Sequence, residues 1–220
     1  MRSAISTRLL AFVCAAWLGA GVAHPAAPDV MPAPEPFRYC VTCHGVELQG
    51  NRLVDAPRLA GLPEWYLARQ LQAFRAGWRG AHPDDVNGME MRPQATVLDA
   101  RAVDQAVAYA ARTPVRGAPP VTGVGDPNRG AALYATCAAC HGVHGEGNEP
   151  LAAPPLAGQS DWYLVTQLEN FRNGVRGSAP DDTQGALMRA SVAALTDPAA
   201  TADVVAYIAT LKPAAEDDRP

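Results

Sequence analysis

Apolar residues recur at helical spacing in three stretches of each half of the chain, and no stretch alternates with the two-residue period of a strand. The clearest stretch lies between an acidic first turn and a glycine, with tryptophan, leucine and phenylalanine on one face. The helices predicted from this pattern are 36–45, 64–77 and 99–113 in the first half, and 126–140, 161–174 and 197–211 in the second. The pattern therefore predicts an all-α fold.

The second half of the chain repeats the first. When residues 40–98 are placed on 137–195 without a gap, 29 of the 59 positions are identical, at a constant offset of 97 residues. A fixed offset of this kind indicates the tandem duplication of one structural unit. We therefore predict two domains, 37–113 and 127–212, joined by a linker rich in proline and glycine at 114–126.

The segments outside the two domains have the composition of an export signal, a spacer and a tail. Arg2 and Arg8 precede an apolar run that closes with small residues, so residues 1–23 are predicted to be a secretory signal peptide that is cleaved after its last residue. The run is short for a membrane span, and retention as an anchor is the alternative. Residues 24–36 form a proline-rich lead-in, and residues 213–220 an acidic tail. The mature protein is therefore expected in the periplasm.

The charge of the chain argues against one class of partner. Lysine and arginine number 18 against 22 acidic residues, and the net charge of −4 gives no indication of a surface that binds nucleic acid. Lys212 is the only lysine, so docking to acidic proteins through a ring of lysines is not available either. Any protein partner is therefore expected to be recognised in another way.

Each domain contains two cysteines followed directly by a histidine, in the arrangement Cys-x-x-Cys-His. The two sequences are Cys40-Val-Thr-Cys43-His44 and Cys137-Ala-Ala-Cys140-His141. On a helix the two thiols share a face, so they can form thioethers with the two vinyl groups of one haem while the histidine lies beneath the iron. A redox disulfide would not need the histidine, and a zinc site would leave both histidines accidental. The pattern predicts two covalently bound haem c groups.

Two methionines lie two residues apart in the first domain, and the repeat distinguishes them. Met91 corresponds to Met188 at the 97-residue offset, whereas Met89 corresponds to an alanine. Met91 and Met188 each follow their haem histidine by 47 residues, and a thioether sulfur is a common second axial ligand of haem c. Core packing is the alternative for both. The predicted iron ligands are therefore His44 with Met91, and His141 with Met188, while Met89 packs near the first haem and is the fallback ligand.

Four arginines recur at the same offset near the end of the second predicted helix of each domain. They are Arg75, Arg79, Arg172 and Arg176. Haem propionates need cationic or hydrogen-bonding partners, and a guanidinium pairs well with a carboxylate. A solvated helix end is the alternative. The aspartates of the two Pro-Asp-Asp loops, at 83–85 and 180–182, are expected to cap or turn those loops.

These features together resemble the two-haem cytochrome c4 family over residues 37–212. The resemblance rests on both Cys-x-x-Cys-His sites, both Ala-Pro-x-Leu-Ala-Gly segments, both Trp-Tyr-Leu helices, both Pro-Asp-Asp loops and the two methionines. It implies two class-I cytochrome c domains packed face to face, with haem propionates near the interface. It also implies that the carbonyls of Pro57 and Pro154 accept hydrogen bonds from the axial imidazoles, which fits the need to orient a ligating histidine. A plain turn is the alternative for both prolines.

A haem iron with histidine and methionine ligands has no vacant position and can exchange an electron with little rearrangement. The leading hypothesis is therefore a periplasmic electron carrier, not an enzyme, which takes electrons from a respiratory donor and passes them to a terminal oxidase or another acceptor. No small-molecule substrate is expected, and contact with the membrane is expected only through partners or an uncleaved leader. One alternative is the cytochrome subunit of a dehydrogenase complex, similar in design to that of flavocytochrome c sulfide dehydrogenase with its flavoprotein partner. A catalytic haem enzyme is the third hypothesis.

Overall fold

The computed structural model describes residues 33, 37–123 and 125–212. Within these ranges the chain forms eight α-helices and one short 3-10 helix, and its extended pairings are two isolated bridges. The predicted all-α fold is confirmed. The predicted signal peptide, all but one residue of the proline-rich lead-in, and the acidic tail lie outside the described residues. None of the helices in the described ranges is both long and apolar enough to cross a bilayer.

The helices follow the same order in both domains. The first domain contains α1 (Arg38–His44), α2 (Glu64–Ala76), α3 (Val86–Thr96) and α4 (Ala100–Arg112), with the 3-10 helix at Arg52–Val54 between α1 and α2. The second domain contains α5 (Pro127–His141), α6 (Asp161–Arg172), α7 (Thr183–Val192) and α8 (Pro198–Ile208). The six helices predicted from the sequence agree with α1, α2, α4, α5, α6 and α8 to within three residues at either end.

Short polar side chains and glycines set the ends of these helices. Five helices begin after an aspartate whose carboxylate accepts a hydrogen bond from an amide of the first turn; these are Asp85, Asp99, Asp126, Asp182 and Asp197. Such caps satisfy amides that have no partner inside the helix. At the other end, α2 stops at a glycine with φ of +77°, a left-handed conformation that glycine adopts without strain. Both Pro-Asp-Asp loops therefore end in helix caps, as predicted.

The third helix of each domain, α3 and α7, has no clear signal in the sequence. Gly88 and Pro93 lie inside α3, and both residue types are unfavourable in a helix interior. These two helices carry Met91 and Met188. The methionines therefore lie on short helices of defined direction, rather than on irregular chain that crosses from one side of the domain to the other.

Each domain has its own hydrophobic core. The buried residues of the first core are Phe37, Leu48, Ala60, Leu62, Leu67, Val107, Tyr109 and Ala110. Those of the second core are Tyr134, Leu164, Leu195, Ala200, Val204, Val205 and Ile208. In both cores an aromatic ring close to the first cysteine packs on a tyrosine of the last helix, with centroids 6.3 Å apart in the first domain and 5.3 Å apart in the second. The last helix of each domain thus holds the cysteine-bearing helix in place.

Candidate functional site

The four cysteines of the two repeated motifs lie on α1 and α5 with free thiols. Cys40 and Cys137 are half-buried, whereas Cys43 and Cys140 are exposed. Within each helix the two cysteines are three residues apart, so both thiols lie on one face. Burial raises the pKa of the Cys40 and Cys137 thiols. In the described part of the chain, no three histidine, cysteine or acidic side chains come together as a metal-binding group.

Each motif histidine is buried and held by one hydrogen bond to a proline carbonyl. The Nδ1 atom of His44 lies 2.7 Å from the carbonyl oxygen of Pro57, and that of His141 lies 2.8 Å from the carbonyl oxygen of Pro154. A carbonyl only accepts, so Nδ1 carries the proton and donates, which leaves Nε2 with a free lone pair. Burial lowers the pKa of both imidazoles, and the hydrogen bond to the carbonyl offsets part of that shift. The neutral imidazole with a fixed ring is the form that binds a metal ion.

A tight loop brings each proline back to its histidine. The Gly50 amide donates to the carbonyl of His44 at 2.8 Å, and the Gly147 amide donates to that of His141 at the same distance. A Cβ atom on Gly50 would lie 2.8 Å from the amide nitrogen of Arg58, so the loop closes this tightly only with glycine at that position. The contact between histidine and proline therefore depends on a loop of the same form in each domain.

The methionines on α3 differ in exposure. Met91 and its counterpart Met188 are half-buried, whereas Met89 is 42% exposed. Residues two apart on a helix point to different sides, so Met89 and Met91 cannot approach the same atom from one position of α3. The helix thus separates the two candidates, and the one that the repeat selects is the more buried of the two.

Two of the four repeated arginines form a cluster between the domains, the interdomain arginine cluster. Arg79 donates to the side-chain oxygen of Gln70 at 2.8 Å, and to those of Tyr163 and Gln167 at 3.4 Å. Arg176 donates to Gln167 at 2.6 Å and to Gln70 at 3.4 Å. Each arginine therefore binds a glutamine of its own domain and the equivalent glutamine of the other domain. Within each domain the guanidinium also stacks 4.3 Å above a phenylalanine ring.

The interdomain arginine cluster is cationic and contains unused donors. The Nε atoms of Arg79 and Arg176 are buried without a hydrogen-bond partner among the described residues. Burial and the neighbouring Arg79 lower the pKa of Arg176 to about 10. Burial raises the pKa of the Tyr163 phenol, but the two guanidiniums outweigh this and lower it overall. The hydrogen-bond partners of the two guanidiniums are amide and phenol oxygens, and the nearby Asp85 carboxylate acts to raise the pKa of both. Their buried Nε donors suit a further carboxylate.

The other two arginines point elsewhere. Arg75 is exposed and donates to the backbone oxygen of Leu98 at 2.6 Å, within its own domain. Arg172 donates to the hydroxyl of Thr201 at 3.1 Å and lies 3.8 Å from Glu169. The structure therefore does not bring Arg75 and Arg172 together with the interdomain arginine cluster.

Some interface residues were not singled out from the sequence. Gln70 and Gln167 are identical across the repeat, so a signal was present, but only the structure shows that each serves both domains. The side-chain amide of Gln159 donates to the backbone oxygen of Arg58 at 3.0 Å, and the guanidinium of Arg52 lies 5.1 Å from the centre of the Trp162 ring. These last two contacts join residues that the repeat does not equate, so the offset alone could not indicate them.

The site suits a covalently attached haem in each domain, because free thiols, an oriented imidazole and donors for carboxylates are all present. The sequence model described as cytochrome c matches residues 36–112 and 127–212. This chain belongs to the cytochrome c family. It is a dihaem protein of the cytochrome c4 type, an electron carrier with two covalently bound haem c groups.

Curated relatives and a solved structure agree with this assignment. The chain is 33% identical to cytochrome c4 of Azotobacter vinelandii over 188 residues, which are 80% of this chain and 86% of the relative. It is 34% identical to the thiosulfate dehydrogenase electron acceptor of Stutzerimonas stutzeri (strain A1501), over 69% of this chain and 71% of the relative. The crystal structure of reduced recombinant cytochrome c4 from Pseudomonas stutzeri superposes with a TM-score of 0.64 at 29% identity, covering 80% of this chain and 94% of that one.

Proposed function

We propose that each domain would hold its haem through two thioethers and two iron ligands, all supplied by the repeated residues. Cys40 and Cys43 attach the first haem and Cys137 and Cys140 the second, while the iron ligands are the pairs His44 with Met91 and His141 with Met188. The observation that carries this assignment is the buried histidine whose Nδ1 donates to a proline carbonyl, in the same geometry in both domains. When bound, the haem supplies a one-electron couple between ferric and ferrous iron.

The residues around the histidines keep the site rigid. Pro57 and Pro154 fix the tautomer and the ring direction of their histidines, which would leave Nε2 available to hold the iron. A ligand set that does not rearrange lowers the cost of electron exchange. The domain boundaries that go with this assignment are 37–113 and 127–212, with the linker 114–126 between them.

The interdomain arginine cluster is proposed to bind haem propionates at the boundary between the domains. Arg79 and Arg176 have buried Nε donors that are available to a carboxylate, and a carboxylate would balance their charge. Because Gln70 and Gln167 each accept from both arginines, the same contacts link the two haem sites to each other. Arg75 and Arg172 are weaker candidates for binding a propionate, because each already donates a hydrogen bond within its own domain.

In the cell the protein is proposed to act as a periplasmic carrier without an enzymatic activity of its own. The predicted leader at 1–23 would export it, and a respiratory donor and a terminal oxidase or another acceptor would be its partners. Neither nucleic acid nor a small-molecule substrate has a place in this function.

A second candidate function is that of an electron-accepting subunit of a dehydrogenase complex. The similarity to the thiosulfate dehydrogenase electron acceptor of Stutzerimonas stutzeri favours it. The chemistry on the substrate would then belong to the partner chain. Stable co-purification of a second chain with the tagged full-length protein from its own cells would support this candidate, whereas isolation as a single chain would favour the free carrier.

The ligand assignment is tested by replacing each methionine in the holoprotein. Met91→Ala and Met188→Ala should each remove the weak red absorption band of a ferric iron–thioether bond from one of the two haems, and should open that haem to carbon monoxide. Met89→Ala is the matched control and should leave both bands intact. A Met91→Ala protein that retains both bands would contradict the assignment.

A further inference from the structure

The helix that carries Met91, α3, has little intrinsic stability. α3 has 11 residues, and Gly88 and Pro93 lie inside it. Proline has no amide hydrogen, so the bond from residue 93 to the carbonyl four residues earlier is missing, and glycine adds conformational freedom. A helix of this length is marginal in water even with good helix formers. Contacts with the rest of the domain must therefore fix α3.

One buried carboxylate supplies such a contact. Asp85 is 3% exposed, and its carboxylate accepts from the Gly80 amide at 2.7 Å and from the Gly88 amide at 3.2 Å. Gly88 belongs to the first turn of α3, whereas Gly80 lies in the turn that follows α2. The Asp85 side chain therefore ties the start of α3 to the end of the preceding segment, in addition to capping the helix.

The backbones that Asp85 joins also lie in direct contact. A Cβ atom on Gly80 would lie 2.2 Å from the backbone oxygen of Gly88, and a Cβ on Gly88 would lie 2.1 Å from the Asp85 carboxylate. Real Cβ atoms do not approach other atoms so closely, so a side chain at either glycine would push α3 away. The two glycines and Asp85 form one unit, the α3 clasp.

The second domain repeats the α3 clasp in a looser form. A Cβ on Gly177 would lie 2.2 Å from the backbone oxygen of Gly185, as in the first domain. Asp182 accepts from the Gly185 amide at 2.9 Å but is only half-buried, and its carboxylate accepts from no second amide among the described residues. α7 has an alanine where α3 has Pro93, so it needs less external support.

We propose that Asp85 is a positioning residue for Met91: by tying α3 to the turn after α2, its carboxylate sets the direction from which the methionine approaches the iron. Asp85 caps α3, and Met91 lies on that short helix six residues later. Each residue of a helix turns by roughly 100°, so a start that slips by one residue would swing the thioether to another side. Asp182 does the same for Met188 to a smaller extent. This inference rests on the proposed methionine ligation.

The test compares Asp85→Asn and Asp85→Ser with Asp84→Asn in the full-length holoprotein. Asp84 is the adjacent carboxylate of the same loop, and its side chain is 77% exposed, so it controls for the loss of a charge at this place. Serine retains a cap for α3 but offers a single, shorter acceptor, so Asp85→Ser separates capping from the tie to Gly80. Haem 2 of the same molecule reports whether the protein has folded.

In both Asp85 variants we expect haem 1 to lose its red thioether band in part, to bind added imidazole roughly tenfold more tightly, and to fall in reduction potential. The sign of the potential shift is decisive, because loss of a buried negative charge alone would raise it. Asp84→Asn should match the wild type, and Asp182→Asn should show a smaller effect, confined to haem 2. Asp85 variants with the wild-type band and imidazole affinity, or with a raised potential, would overturn the inference alone. A wild-type protein without the band at haem 1 would overturn the methionine assignment and the inference together.

Discussion

The two domains build their haem sites from the same residues but hold them in place with different ones. The histidine–proline bond, the glycine-closed loop and the aspartate before the methionine helix occur in both domains at almost the same distances. The helix that bears the cysteines differs: α1 has 7 residues and α5 has 15. The repeated residues thus serve the haem sites, whereas the residues that differ between the domains serve the stability of each domain.

The longer helix α5 packs closely against α8. A Cβ on Gly130 would lie 2.0 Å from the backbone oxygen of Asp203, so the helices cross with backbone against backbone. The buried Asp203 carboxylate accepts from the amide of Asp126 at 2.7 Å and pairs with Arg129 at 3.0 Å. One residue is inserted before α8, so the last helices align at an offset of 98, as Tyr109 with Tyr207 shows. At the position in α4 that corresponds to Asp203, the first domain has the exposed Gln105. We therefore expect the second domain to be the more stable one.

The interface between the domains also departs from the repeat. Arg52 of the first domain lies over the Trp162 ring of the second, but the residue that corresponds to Arg52 in the second domain is Glu149. Gln159 reaches the backbone of the first domain, and leucine stands at the corresponding position 62. Thus the interface combines a symmetric centre, the interdomain arginine cluster, with contacts that run in one direction only.

The largest effect is expected where α5 crosses α8. Gly130→Val places a side chain against the α8 backbone, so it should lower the free energy of unfolding of the second domain by about 3 kcal/mol. Chemical denaturation followed by haem absorbance measures this change. Ala131→Val, at an exposed position of the same turn, is the control and should change stability by less than about 0.5 kcal/mol. Equal effects of the two variants would contradict the close crossing.

The next effect comes from the buried carboxylate of α8. Asp203→Ala leaves the Asp126 amide without its acceptor and removes the partner of Arg129, and we expect a loss of about 2 kcal/mol. Arg129 is 63% exposed, so its ion pair is screened and contributes the smaller part. Gln105→Ala in the first domain should be neutral within about 0.5 kcal/mol in the same denaturation measurement. If Asp203→Ala left the free energy of unfolding unchanged, the claim that this carboxylate makes the second domain more stable would be wrong.

The symmetric centre of the interface is expected to act on the haem potentials. Arg79→Leu removes a buried positive charge that opposes oxidation of the iron, so a haem potential should fall by about 60 mV, which is about 1.4 kcal/mol for one electron. Potentiometric titration of the holoprotein measures the shift. Arg75→Leu removes the exposed arginine at the end of α2, which already donates to the Leu98 backbone, and should shift the potentials much less. If both variants shifted the potential equally, the shift would come from the change in net charge and not from the interdomain arginine cluster.

The smallest effect concerns the linker. The Asp161 carboxylate accepts from the amides of Thr122 at 2.5 Å and Gly123 at 2.6 Å, whereas its counterpart Glu64 is exposed. Burial alone would raise the pKa of Asp161, but the hydrogen bonds from Gly123 and Thr122 lower it below 3.8. Since the folded pKa lies below the unfolded one, this stabilisation is present at neutral pH and is lost as the pH falls below about 3.8.

For this reason Asp161→Asn should destabilise the protein by about 1 kcal/mol at neutral pH and should flatten the loss of stability on the acid side. Thermal unfolding across a pH series measures both. Glu64→Gln should leave the acid-side slope as it is in the wild type. If Asp161→Asn retained the full slope, the acid sensitivity would belong to other carboxylates.

The sequence predicted those parts of the structure that depend on local pattern or on the repeat. α2 follows from apolar spacing and a terminal glycine, and the pairing of Met91 with Met188 follows from the offset. α3 could not be predicted, because Gly88 and Pro93 argue against a helix and the Asp85 contacts that hold it come from the folded domain. The contact between Gln70 and Arg176 joins residues 106 positions apart in sequence, so it depends on how the two domains pack.

The measurement that tests the central claim most directly is a redox titration of the purified wild-type protein by visible spectroscopy, with and without carbon monoxide. Histidine and methionine at both irons predict two low-spin haems of high potential, whose spectra in the reduced state are unchanged by the gas. A haem that is high-spin, or that binds carbon monoxide, would contradict the account, because one methionine would then be absent from the iron. The first ligand to be withdrawn would be Met91, since its helix is the weaker of the two.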